Sequence, residues 1–153
     1  MHHRRRTGNE IKTALRDLRI QLALLNHRIG GELALKDVDL DCLDILARNG
    51  PLTPSALARR AGLHPATLTG ILDRLEQAGW IARDRARPDR RSVSVRVLPD
   101  RGMEVFRRYQ PMMSAMDDVL ADYTEAELEV IATFLRRSAE AGERVVGRSA
   151  VES

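Results

Sequence analysis

The chain has 153 residues, 31% of them charged, a net charge of +3 and a single cysteine, Cys42. That length accommodates one compact domain, or a small lobe with an oligomerisation lobe, and one cysteine excludes both an intrachain disulfide and a Cys-rich metal site. No apolar run approaches the roughly 18 residues of a membrane span, and MHHRRRTGN lacks the apolar centre of a secretory signal, so a soluble cytoplasmic protein is expected.

Charge is unevenly placed. Residues 52–101 hold ten Arg against five acids, a net of +5, residues 1–36 are also at +5, and residues 117–153 carry −5. A basic middle with an acidic tail can set one positive face on a polyanion while the rest stays soluble.

After a basic arm at the extreme N-terminus, expected to be disordered, the first helix is predicted over about 9–30. Ile11, Leu15, Leu18, Leu22, Leu25 and Ile29 form a near-heptad stripe, Ile20, Ala23 and Leu24 widen it, and Gly30-Gly31 is expected to end it. A long helix with two apolar faces suits packing both on its own domain and on a partner. A second helix begins near Asp39, read as its N-cap, and stops at Asn49-Gly50-Pro51. Thr53 caps a third, with Pro54 at its first position and Leu57, Ala58 and Ala61 inward, and Gly62 breaks it.

The fourth helix runs from Pro65 to about Ala78, with Leu68, Ile71, Leu72 and Leu75 inward. Trp80 and Ile81 open a strand, and Val93, Val95 and Val97 alternate with Ser94 and Arg96 in a second. A fifth helix is predicted over about 100–122, and Thr124-Glu125-Ala126-Glu127 reads as the capping box of a sixth carrying Leu128, Ile131 and Leu135. The expected fold is mainly α with a small β-hairpin wing: a winged helix-turn-helix core at 37–102, an arm and dimerisation helix at 1–36, and C-terminal dimerisation helices at 103–153. Ile11, Leu15, Leu18, Leu22, Leu128, Ile131 and Leu135 are the candidate dimer contacts.

An α-helix fits the major groove of B-DNA. Helix 65–78 has the polarity for it, with Ala66, Thr67, Thr69, Gly70 and Asp73 outside near its start and Arg74 a turn further on, within reach of the DNA backbone. Small residues at Ala66 and Gly70 allow a deep fit. Thr67 and Thr69 offer hydroxyls for bases or phosphates and methyls for thymine. Read singly, they are also ordinary solvent-facing residues. The hairpin loop RARPDRRS places Arg85, Arg87, Arg90 and Arg91 within seven residues. Arginine on a narrow loop can enter the minor groove, and a charged loop also protects an exposed edge from aggregation.

These residues carry a resemblance. LTPSALARRAGLHPATLTGILDRLEQAGWI and the wing tetrad Asp89-Arg90-Arg91-Ser92, a D-x-R-[AS] pattern, resemble the MarR (multiple antibiotic resistance regulator) family of winged-helix repressors over about residues 40–102. The resemblance implies that Arg91 enters the minor groove with Asp89 holding its guanidinium. It also implies that Pro65, Ala66, Thr67, Thr69 and Gly70 face the major groove, and that the terminal helices interlock into a homodimer. Thr53, Ser55 and His64 join the DNA-contact candidates. Two positions depart from the pattern: His64 stands where Ser is usual as the helix cap, and Pro99 where a Thr often caps the fifth helix.

The family also implies tuning by a small ligand or by oxidation. Cys42 is read as semi-buried with no cation nearby to activate it, hence structural; the family's thiol switches sit in the first helix, which has no cysteine here. A small aromatic effector would sit between the first helix and the winged core. Arg16, Arg19, His27 and Arg28 are candidate charge partners and Met103, Met112, Met113 and Met116 candidate lining, although solvated faces and plain core filling suit the same residues. No metal, no cofactor and no enzyme chemistry are expected: neither a Ser/His/Asp set, a phosphate-cradling glycine loop nor a ligand cluster is present. The function expected is a homodimeric regulator, a repressor, on a pseudo-palindromic operator. The alternative is a winged-helix protein-interaction module without sequence-specific DNA binding, for which an uncharged wing would speak.

Overall fold

The computed structural model describes residues 2–85 and 93–151. The described elements are, in order, α1 (His2–Leu33), α2 (Asp37–Asn49), α3 (Pro54–Ala61), α4 (Pro65–Gln77), β1 (Ile81–Arg85), β2 (Val93–Val97), α5 (Pro99–Leu120) and α6 (Glu125–Val151). The fold class is the one read from the sequence, mainly helical with an antiparallel hairpin. The chain forms two compact units, Met1–Val105 and Phe106–Ser153.

Two expectations about α1 are corrected. It starts at His2, so the basic N-terminal residues are helical and not a disordered arm, and it runs through Gly30 and Gly31 to Leu33. The turn comes at Ala34, in the left-handed region at φ 54°, and Leu35 N–H closes it on the Gly30 carbonyl at 2.8 Å. Gly30 is needed inside the helix for another reason. A Cβ there would lie 2.6 Å from the Leu35 carbonyl oxygen, so only glycine lets the chain fold back this closely.

The start of α2 also differs from its expectation. Lys36 is the N-cap residue, and Asp39 sits at the third helical position, its Oδ2 accepting the Lys36 N–H at 2.8 Å. The acid still satisfies an orphan donor of the helix start, but from inside the helix. Asp39 is 1% exposed, and the guanidinium of Arg74 on α4 donates to its other oxygen.

The turn residues act where the sequence placed them. Thr53 Oγ1 accepts the Ala56 N–H at 3.2 Å, Pro54 opens α3, and Gly62 closes it at φ 65°. Pro99 is the first residue of α5, and Gly102 N–H reaches the Leu98 carbonyl at 2.9 Å. Thr124 and Glu127 form the expected capping box, with Thr124 N–H and Oγ1 each 2.8 Å from Glu127 Oε2.

In the hairpin, Ile81 pairs with Val97 and Arg85 with Val93. One pairing was not foreseen. Leu52 bridges Val95 on the other side of β2, with N–H···O contacts of 3.1 and 2.8 Å, so β2 is flanked on both edges. Val95 is fully buried.

Among the described residues the buried hydrophobic ones run from Ile29 to Val95, with Leu40, Leu43 and Leu46 of α2, Leu57 of α3, Leu68, Ile71, Leu72 and Leu75 of α4, and Trp80, Ile81 and Val95 of the wing stem among them. Among the described residues α5 buries none. This core fixes α4 through its apolar face and leaves its opposite face in solvent.

Candidate nucleic-acid interface

The amphipathic register of α4 decides what it shows. With Leu68, Ile71, Leu72 and Leu75 at 1–4% exposure, Pro65, Ala66, Thr67, Thr69 and Gly70 are all exposed together over its first two turns. His64 caps the helix: Nδ1 accepts the Ala66 N–H at 3.2 Å, so the imidazole does what serine would do and its second nitrogen stays at the exposed cap. Thr69 Oγ1 donates back to the Pro65 carbonyl at 3.0 Å. Thr53 and Ser55, both exposed, lie at the start of α3 with their hydroxyls 3.3 Å apart.

The arginines of residues 52–101 fall into distinct sets. Four are tied within the fold. Arg74 is bound to Asp39, so the residue expected to reach DNA has a carboxylate partner inside the protein, although its side chain remains 44% exposed. Arg83 on β1 donates to Asp73 of α4, with its Nε 3.5 Å from Glu76, which ties the wing stem to the helix. Arg96 bonds Asp84 across the hairpin at 2.7 Å. Arg101 lies 4.4 Å over the Trp80 ring, 2.9 Å from Glu104 and 3.3 Å from the Ala78 carbonyl, clamping the end of α4 and the start of β1 to the first turn of α5. Arg59, Arg60 and Arg85 are exposed. Arg87, Asp89, Arg90 and Arg91 lie outside the described residues.

Arg59 and Arg60, on the last turn of α3, were not singled out from the sequence. The signal was the adjacent pair at outward positions after the buried Leu57 and Ala58. The pairing of Asp39 with Arg74 carries no local signal, because the two lie 35 residues apart.

The candidate dimer contacts share a different property. Ile11, Leu22 and Leu135 are 41%, 41% and 45% exposed, and Leu15, Leu18, Leu128 and Ile131 are half-buried. Among the described residues, the exposed large hydrophobics lie either between Ile11 and Leu24 or between Met103 and Val146, outside the winged core.

None of the effector candidates is buried. His27 Nδ1 is 3.3 Å from Asp37, and Arg28 is 3.4 Å from Glu32. Arg16 and Arg19 are exposed, as are Met103 and Met113, while Met112 and Met116 are half-buried. Cys42 is completely buried, not semi-buried, and burial, with Asp39 and Asp41 adding to it, pushes its thiol up to about 11. Its thiolate is therefore scarce at neutral pH. Among the described residues no three His, Cys, Asp or Glu side chains gather as a metal site, and no helix is long and apolar enough to cross a membrane.

Comparison with known proteins agrees with this geometry. A model of the MarR family matches residues 35–93, from two residues before α2 to the first residue of β2. The HTH-type transcriptional regulator YcgE of Bacillus subtilis is 33% identical over 140 residues, covering 90% of this chain and 91% of that protein. Among solved structures, a MarR family protein from Bacillus stearothermophilus superimposes with a TM-score of 0.69 at 24% identity over 89% of this chain and 95% of its own. NadR, solved in complex with 4-hydroxyphenylacetate, superimposes with a TM-score of 0.66 at 26% identity over 84% of this chain and 92% of its own. With a polar-faced helix on a winged core and a relative that matches nearly end to end, the chain belongs to the MarR family of helix-turn-helix transcriptional regulators.

Proposed function

We propose that the protein is a homodimeric repressor acting in the cytoplasm on a pseudo-palindromic operator. Each subunit sets α4 into a major groove and the 85–92 wing into the adjacent minor groove. The observation that carries this is the exposed, uncharged N-terminal face of α4 beside a hairpin whose connecting sequence supplies Arg87, Arg90 and Arg91. Thr53, Ser55 and His64 serve as backbone contacts, with Arg59 and Arg60 added to them. Asp89 orients Arg91 in the minor groove.

The dimer follows from where the apolar surface lies. Helices that leave Ile11, Leu22, Val130 and Leu135 in water as single chains gain by covering them with a second copy. Two-fold symmetry then sets two half-sites about one helical turn apart. Release by a small aromatic acid is the form of control we propose, supported by the 4-hydroxyphenylacetate in NadR.

The test is a mobility shift on the DNA upstream of the protein's own gene. Arg91→Ala lowers affinity at least tenfold while sedimentation still reports a dimer; an unchanged affinity removes the wing from the interface. Affinity also falls steeply with added salt, because phosphate contacts release counterions.

A further inference from the structure

We propose that α4 reads its half-site through the methyl groups of thymine and not through hydrogen bonds to guanine. This rests on the assignment of α4 to the major groove and adds the class of base it recognises.

In the major groove, guanine presents two acceptors, N7 and O6, and is recognised by the paired donors of Arg or Lys. Adenine is recognised by Asn or Gln, and thymine by apolar contact with its C5 methyl. The exposed surface of α4 over its first two turns is Pro65, Ala66, Thr67, Thr69 and Gly70, with no Arg, Lys, Asn or Gln among them. The next two side chains are already engaged, Asp73 by Arg83 and Arg74 by Asp39. Gln77 ends the helix, roughly 16 Å along the axis from Ala66 at 1.5 Å per residue, away from the turns that enter the groove.

The donors that remain are few. Thr69 has committed its hydroxyl proton to the Pro65 carbonyl, so that oxygen can only accept, and guanine offers nothing to accept from. His64 spends Nδ1 on the Ala66 N–H and keeps a single nitrogen. Thr67 has one hydroxyl. None of these is the two-pronged donor that guanine selection needs. What the face has in quantity is methyl groups, on Ala66, Thr67 and Thr69.

Gly70 fits the same reading. Beyond its own helix backbone, a Cβ added there would meet none of the described residues within 4 Å, so glycine weakens the helix without an internal steric reason. The same is true of the helical Gly8, Gly31, Gly142 and Gly147, but Gly70 alone of these lies on the α4 face, next to Thr69. A bare backbone at that point lets the helix approach closely enough for short methyl-bearing side chains to touch base edges.

The experiment starts from a duplex that the protein selects from a randomised library. Single thymines of the half-site are replaced by uracil, which lacks the methyl, and single guanines by 7-deazaguanine, which lacks the N7 acceptor. Both changes lie in the major groove, so a wing in the minor groove does not sense them. Each contacted thymine loses about fourfold in affinity on replacement, the worth of one buried methyl, while 7-deazaguanine stays within about twofold throughout. Uracil tolerated at every position, or a guanine whose N7 is worth more than any thymine methyl, overturns the proposal. Failure to select any duplex overturns the DNA-binding function itself, and is thereby told apart. Gly70→Ala supplies an independent arm: it raises the melting temperature by about 2–4 °C yet weakens the selected duplex, and equal or tighter binding refutes the close approach.

Discussion

The buried pair Asp39–Arg74 makes a quantitative prediction with an asymmetry in it. Asp39 is 1% exposed and holds two partners, the Lys36 N–H at the start of α2 and the guanidinium of Arg74 on α4, whereas the Arg74 side chain is 44% exposed. Arg74→Met therefore strands a carboxylate that water cannot reach, and the loss of one partner from a buried pair costs about 3–5 kcal/mol. Asp39→Asn keeps an oxygen for the Lys36 N–H and leaves Arg74 able to turn to solvent, so it costs about 1–2 kcal/mol, the worth of a charged hydrogen bond replaced by a neutral one. In the double variant the two losses do not add, because the stranded charge is gone. The assay is urea unfolding followed by circular dichroism at one fixed protein concentration, since the midpoint of a dimer moves with concentration. Arg74→Met no less stable than Asp39→Asn would refute the reasoning. A DNA readout accompanies it. If Arg74 acts by positioning α4, Arg74→Met weakens operator binding without changing its dependence on salt, whereas loss of a phosphate contact lowers the log–log slope by about one.

Three further outcomes are expected. Gly30→Ala forces a Cβ against the Leu35 carbonyl at 2.6 Å and destabilises the fold by more than the usual helix preference for alanine would restore; a rise in melting temperature would contradict it. Cys42, with its thiol held near 11 by burial, reacts with iodoacetamide at pH 7.5 only once the chain is unfolded, and stoichiometric labelling of the native protein would disprove that. Glu127 is held below the ordinary glutamate value of 4.5 by the Thr124 N–H and hydroxyl that bond to it. A depressed carboxylate contributes stability above that value and loses it as pH falls through the folded one. The advantage of the wild type over Glu127→Gln is thus present at pH 7 and shrinks on acidification below 4.5, and a difference independent of pH down to 3 would count against the cap.

The sequence alone determined the elements whose signals are local. Thr53-Pro54, Gly62, the 3.6-residue spacing of Leu68, Ile71, Leu72 and Leu75, the alternation of Val93, Val95 and Val97, and the Thr124–Glu127 box each act within a turn or two of backbone, so residue type and spacing suffice. They yield the winged helix, and with it the exposed face of α4. Tertiary structure decided whatever depends on residues far apart in the chain. Gly30-Gly31 looks like a helix stop until the packing of Leu35 against Gly30 shows why glycine belongs inside the helix. Leu52 shows nothing of a strand until Val95 comes alongside it. Asp39 and Arg74 show no sign of belonging together until the fold pairs them over 35 residues. The same holds for Arg83 and Asp73: a count of arginines cannot say which are neutralised inside the fold, because charge is a property of composition and pairing a property of packing.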